Sequence, residues 1–502
     1  MAATLHPSAP PGGPLSGQNL GQILARYRPL IHDVEIAGIA LAAAFVLLLV
    51  TALATYRTRP ALHWRVFGVN LLRHRMRRTW GHLTAVCELT TSHRPTSTVL
   101  GEMIVSGKPL QQSTPRLYRL RHRPGGMSAT VFLLPGQTPE QYQEAADAMA
   151  HAWKVHAVRV SSTLRGRVAL TITARDPLTD PNRPTGPGID LAEISKETNT
   201  PGTGAASTAN PQRRRSAARG TGRPSSGFLL CLPVGDREDG RPWEIDLGIV
   251  PHWLIVGATR SGKSTLLNAA MVQLSMRRVA LVGIDCKGGM ELAPYAARLS
   301  ALATSRKEAA EVLAAVLAIA HERMALCRAK GARSIWQLPE DIRPIPIMVL
   351  VDEIAELYLA GNREEKEQAS QASTALLRLA QLGAALGIHL IVAGQRVGSE
   401  LGTAVTALRA QLGGRICHHV HDPETAKMAL GDLHPDAVDA AQAISPHEPG
   451  VAITTDPEVG WLRARSRLMT PEDAQMAAET FTRLAVELPG LHRPEYTITL
   501  VR

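Results

Sequence analysis

His252-Trp253-Leu254-Ile255-Val256-Gly257-Ala258-Thr259-Arg260-Ser261-Gly262-Lys263-Ser264-Thr265 reads as an apolar strand running into a glycine-bounded loop and then a helix. Residues Gly257 to Ser264 match GxxxxGK[ST], and the strand before and helix after supply the context that this pattern needs. Glycines let backbone N–H groups close around phosphate oxygens, and the helix N-terminus adds partial positive charge. In that setting Lys263 reaches the β and γ phosphates and the Ser264 hydroxyl takes a Mg²⁺ ion. Ala258, Thr259, Arg260, Ser261, Gly262 and Thr265 complete the expected cradle for ATP.

A second element agrees with the first. The run IPIMVLVDE (345–353) ends an apolar strand in Asp352-Glu353, about 90 residues after the loop. Asp352 is suited to the Mg²⁺ shell and Glu353 to orienting or deprotonating an attacking water. An Asp-Glu pair at a strand end also suits a helix N-cap, and the paired phosphate loop favours the catalytic reading. Gln395 ends the next strand, IHLIVAGQ (388–395), where it can sense the γ-phosphate or its water. Further strands are expected at RVALVGID (278–285) and RICHHV (415–420), and a helix over 307–330 stopped by Gly331. Strands alternating with helices from residue 227 to about 470 define an α/β domain with a parallel sheet.

The rest of the chain is different material. Of 502 residues, 55 are Lys or Arg and 44 Asp or Glu, for a net charge of +11. Residues 1–226 hold 27 basic and 12 acidic side chains and the remainder 28 and 32, so the excess lies N-terminal. Hydrophobic content of 45% excludes whole-chain disorder. Five separated cysteines with no CxxC pair exclude a disulfide framework or zinc ribbon and suit a reducing compartment.

The run IAGIALAAAFVLLLVTALA (36–54) carries no charge, and a helix of that length reaches across a hydrocarbon core of about 30 Å. Arg57, Arg59, Arg65, Arg73, Arg75, Arg77 and Arg78 follow it and two arginines precede it, which predicts one transmembrane helix (34–56) with the bulk cytoplasmic. Residues 1–33 read as a disordered segment. Residues 57–180 read as a basic juxtamembrane region with a small α+β module, including strands near 130–134 and 168–172 and a helix capped by Thr138 with Gln141. Residues 181–226, rich in Pro, Gly, Ser and Thr with arginines at 213–215, 219 and 223, read as a disordered linker. Its basic cluster suits DNA phosphates and a solvated tether equally. Residues 471–502 are left as a C-terminal tail.

GATRSGKST (257–265), IDCKGGMEL (284–292), VLVDEIAEL (349–357), LGIHLIVAGQR (386–396) and GGRICHHVHDPETAKMALGD (413–432) stand in the order and spacing of the FtsK/SpoIIIE family, which the chain resembles. The resemblance implies a RecA-like motor, a homo-hexameric ring, anchoring in the cytoplasmic membrane and ATP-driven pumping of double-stranded DNA. One span, one motor and no terminal winged helix resemble actinobacterial plasmid and integrating-element transfer proteins. Chromosome segregation and secretion-system motors acting on protein are the alternatives. Arg260 stands where these motors usually carry glycine, and Ala384 where they often carry arginine. Arg378, Arg396, Arg409 and Arg415 are therefore open candidates for an arginine reaching a neighbouring subunit. Asp285 and Lys287 match the family's Asp-x-Lys segment and are read as lining the nucleotide pocket or a subunit interface. Cys417, His419 and His421 would share one strand face, but the segment matches a family strand without metal.

Overall fold

The computed structural model describes residues 63–93, 111–123, 125–176, 178, 230–398, 401, 403–431, 433, 435–457 and 459–495, with scattered positions between 38 and 53. Residues 1–33 and 181–226, expected to be disordered, lie outside these, as does part of the expected span.

The larger unit is one ten-stranded sheet. In chain order its strands are β7 (Cys231–Arg237), β8 (Pro242–Asp246), β9 (His252–Val256), β10 (Ala280–Ile284), β11 (Ala301–Ala303), β12 (Ile347–Val351), β13 (Ile388–Gly394), β14 (Gly414–His418), β15 (Val451–Asp456) and β16 (Gly460–Ser466). Six further strands lie nearer the N-terminus among the described residues. The spatial order is β11-β10-β12-β13-β9-β14-β15-β16-β7-β8. The first six are parallel, as expected. The last four pair antiparallel, so the sheet is mixed.

Strands β9, β10, β12 and β13 are buried along their whole length, which explains their unbroken apolar sequences: helices cover both faces. Successive side chains still take opposite sides. Leu254 and Val256 face the layer of helices Arg306–Ala329 and Arg363–Leu386. Trp253 and Ile255 face helix Lys263–Ser275 and helix Pro471–Thr480. The chain after 470 thus stays on the motor, with Ala477 buried against Val272 and the Arg493 guanidinium donating to the Ala297 carbonyl at 2.8 Å.

The described residues between 63 and 176 form a second unit with its own core. An antiparallel sheet runs β3 (Leu117–Arg123), β4 (Gly126–Phe132), β6 (Arg167–Thr173), β5 (Ala157–Leu164), and a short pair joins β1 (Thr91–His93) to β2 (Gln111–Ser113). Thr138 and Gln141 form the expected capping box, and the helical stretch splits into Pro139–Glu144 and Ala146–Trp153. The arginine-rich segment is helical over Val69–Val86. Its Val69, Leu72, Met76, Trp80 and Leu83 make a stripe buried against Met127, Met149, Trp153 and Leu170. Arg75 donates to the Trp153 carbonyl at 2.6 Å, so this basic helix belongs to the module.

Among the described residues no helix is long and apolar enough to cross a membrane. This corrects the expected single-pass membrane localisation and the transmembrane helix at 34–56. A span needs about 20 consecutive apolar helical residues. The longer described helices, such as Val69–Val86, carry charged side chains, and much of 34–56 lies outside the described residues.

The two units meet at β16 through charges taken out of water. The Arg159 guanidinium pairs with Glu238 and stacks 3.8 Å over the Trp461 ring. Arg463 bridges Asp176 of the module and Glu448 of the motor, the latter at 2.9 Å. Arg465 donates both to the Leu178 carbonyl and to the Pro449 carbonyl. Burial raises the Glu238 carboxyl, and Arg159 and Arg463 oppose that rise.

Three histidines carry a pH consequence. His252, His389 and His418 are buried, and desolvation pulls each down to about 4. For His418 the Lys263 charge adds to the fall and the Val451 carbonyl, 2.9 Å from its Nδ1, opposes it. They are neutral in the folded chain, so their stabilising share is complete above about 6.5, the ordinary histidine value, and is lost as pH falls towards 4. Unfolding free energy should fall by about 1 kcal/mol per pH unit per histidine over that window. Thermal melts at pH 7.5 and 5.0 check this, and an unchanged midpoint would contradict it.

Candidate nucleotide-hydrolysis site

The C-terminal ends of the parallel strands build the site. Strand β9 delivers Gly257, whose N–H donates to the Gly394 carbonyl at 3.3 Å, and the Ala258 N–H donates to the His419 carbonyl at 2.9 Å. The loop turns through Arg260 at φ +64° and Gly262 at φ +107°. Arg260 stands where the resembled motors usually carry glycine, and its backbone is left-handed, a conformation that costs a residue with a Cβ roughly 1–2 kcal/mol. Its side chain is exposed. Gly262 is held from behind: a Cβ there would lie 2.1 Å from the Gly450 nitrogen, and that N–H donates to the Ser261 carbonyl at 2.8 Å. Lys263 then opens the helix, with Ser264 and Thr265 half-buried in its first turn.

Lys263 is only 8% exposed, and its ammonium donates to the Asp352 carbonyl at 2.8 Å and to Asp352 Oδ1 at 3.2 Å. Asp352 and Glu353 are 2% and 7% exposed. Glu353 Oε1 accepts the Gln395 N–H at 3.2 Å, and Glu353 Oε2 lies 3.5 Å from the Lys287 ammonium. The Gln395 side chain returns to the loop, accepting from the Thr259 hydroxyl at 3.3 Å. Residues expected from the sequence to act together are thus linked by hydrogen bonds. Ser264 and Asp352 offer oxygen donors of the kind a hard cation takes, so the donor set fits Mg²⁺.

Other candidates separate. Arg409 donates to the Val397 carbonyl and Arg415 to the Arg409 carbonyl, so both help to hold the fold locally. Arg378 bonds Gln381 on its own exposed helix face, while Arg396 is exposed beside Gln395. The Ala384 carbonyl accepts the Trp336 indole N–H at 3.2 Å. Strand β14 ends at His418, which breaks the alternation that would align Cys417, His419 and His421. His418 Nδ1 faces the Val451 carbonyl and His419 Nδ1 the Ile444 carbonyl. Among the described residues no cluster of His, Cys, Asp and Glu could hold a metal ion. Gly450 was not legible as a site residue: it lies in a Pro-Gly turn far along the chain, and no local pattern links it to phosphate.

A glycine-bounded phosphate loop, a buried lysine on a strand-end aspartate and an adjacent glutamate define a P-loop ATPase. The model of the FtsK/SpoIIIE family matches residues 218–343 and 337–399, and that of the actinomycete conjugal transfer protein N-terminal domain matches 52–174. A transfer protein, TraSA, of Streptomyces ambofaciens is 37% identical over 399 residues, covering 77% of this chain and 87% of the relative. A sporulation regulatory protein of Streptomyces azureus is 44% identical over 241 residues, 48% of this chain and 80% of the relative. The DNA translocase FtsK of Treponema pallidum is 30% identical over 228 residues, covering 42% of this chain and 27% of that protein. Among solved structures, the conjugation coupling protein TcpA matches with a TM-score of 0.46 at 18% identity, over 72% of this chain and 93% of that one. The chain belongs to the actinomycete conjugal transfer proteins with an FtsK/SpoIIIE motor, and it is an ATPase.

Proposed function

We propose that this ATPase moves double-stranded DNA from cell to cell in the conjugative transfer of a plasmid or integrating element, working as a homo-hexameric ring. The observation that carries the catalytic part is the continuous contact from Lys263 through Asp352 and Glu353 to Gln395. The DNA part is supported by the kinship with transfer protein TraSA and DNA translocase FtsK. Lys263 exchanges its Asp352 contacts for the β and γ phosphates of bound ATP. Ser264 and Asp352 would hold Mg²⁺, which would supply positive charge against that developing on the phosphates. Glu353 orients the attacking water and accepts its proton, and Gln395 reads the γ-phosphate through the same hydrogen-bonded link that reaches Thr259. Arg260 and Arg396, both exposed beside the site, are placed for a nucleotide or a neighbouring subunit.

The test is ATP turnover by the full chain with and without linear duplex DNA. Turnover should rise several-fold on adding DNA, and the rise should vanish as salt increases from about 50 to 200 mM, because phosphate contacts release counterions. Turnover indifferent to duplex DNA would overturn the DNA reading and leave a protein substrate to be sought.

A further inference from the structure

We propose that Lys287 is a positioning residue for hydrolysis, holding the Glu353 carboxylate in its working orientation from the β10 side. The inference rests on the reading of Glu353 as the group that orients water.

Strands β10 and β12 run parallel with Ile284 opposite Val351, and the Asp352 N–H donates to the Ile284 carbonyl at 3.1 Å. The residues leaving β10 therefore emerge beside those leaving β12. Asp285, 1% exposed, uses both carboxylate oxygens on the following loop. Oδ1 accepts the Lys287 N–H at 3.2 Å, and Oδ2 accepts those of Glu291 at 2.8 Å and Leu292 at 3.2 Å. The Gly289 N–H closes back on the Asp285 carbonyl at 2.9 Å. Gly288 and Gly289 both take positive φ, near +79° and +78°, so the loop reverses within two residues that need no Cβ. A buried aspartate with three backbone donors makes a stiff bracket, and the bracket aims Lys287 at Glu353.

Glu353 is then held from both flanks, Oε1 by the Gln395 N–H of the β13 side and Oε2 by the Lys287 ammonium of the β10 side. A carboxylate this buried needs donors, and donors from two different strands leave it one orientation. The Lys287 ammonium meets the Glu353 carboxylate and acts through it.

Small displacements of a catalytic group cost up to about 100-fold in rate, so Lys287→Met should lower kcat about 10- to 100-fold with KM for ATP within about twofold. Lys287→Arg, which restores the charge, should recover most of the loss. In a Glu353→Gln chain, which should bind ATP without turning it over, adding Lys287→Met should cost nothing further in the residual rate, because both changes remove one function. A Lys287→Met chain with wild-type kcat, or one that Arg does not rescue, overturns the inference. If Glu353→Gln itself turns over ATP normally, the reading of Glu353 fails; if it is inactive and Lys287→Met is normal, the Lys287 inference alone fails.

Discussion

A chain carrying Lys263→Ala is expected to hydrolyse ATP at least about 10²–10³-fold more slowly than the unmodified chain, the cost of deleting one preorganised charge donor at a reacting group. Lys263 sits at the head of a helix whose first-turn N–H groups already favour phosphate, so the variant should retain weakened nucleotide binding. What it loses is the ammonium that, in the proposed mechanism, meets charge on the β and γ oxygens. The same deletion takes the ammonium from Asp352, a carboxylate buried at the end of β12. A lower melting temperature is therefore expected with the lost activity, and a Lys263→Arg chain, which keeps a charge beside Asp352, separates the two. Steady-state turnover with a nucleotide-binding control checks the prediction. Turnover within tenfold of the parent would remove Lys263 from the mechanism.

Arg463→Ala should have the largest effect on stability outside the nucleotide site. Its guanidinium joins Asp176 of the module to Glu448 of the motor, and its charge opposes the burial that raises the Glu238 carboxyl. Breaking one side of a buried pair costs about 3–5 kcal/mol, and Arg463, less than fully buried, should fall at about 2–3 kcal/mol. The module and the motor should then melt as two transitions in place of one. Calorimetry of the full chain reads this directly. A double-mutant cycle with Asp176→Ala should show that the two changes are far from additive. A single transition at the parent's temperature would mean that the units are held by something else.

Strands β9, β10, β12 and β13 were open to reading because they are buried on both faces, so their sequences are nearly unbroken apolar runs, whereas the three-residue β11 was not read. HWLIV, IMVLV and IHLIVAG correspond to β9, β12 and β13 almost to the residue. The four antiparallel strands were not, since β8 alternates exposed and buried positions and β7 is interrupted by Pro233, Gly235 and charges. The helix Val69–Val86 hid in its arginines. A row of basic residues after an apolar run suggests a membrane flank, and only the long-range partners Trp153 and Leu170 show that its other face is core. Burial of arginine is equally invisible locally. Arg298 donates to the carbonyls of Ser275, Arg277 and Val279, and Arg323 to those of Leu386 and Ile345, contacts that tie strand and helix ends distant in sequence. Lys263, Asp352, Glu353 and Gln395 were expected together from short patterns, and the structure brings them together. Their hydrogen-bonded linkage depended on β12 and β13 lying side by side, next to β9.

The meeting of Gly262 with Gly450 extends the phosphate loop beyond its signature. The two backbones pack so closely that a methyl group at position 262 would overlap the amide of position 450, and a methyl at 450 would lie 2.8 Å from the Ser466 hydroxyl. The loop is thus a composite of two segments distant in the chain, one named by its pattern and one anonymous. The anonymous segment continues Glu448-Pro449-Gly450, and it is gripped by Arg463 and Arg465, the same arginines that hold the module. The floor of the phosphate loop and the socket of the module are therefore built on one stretch of chain, Glu448-Pro449-Gly450.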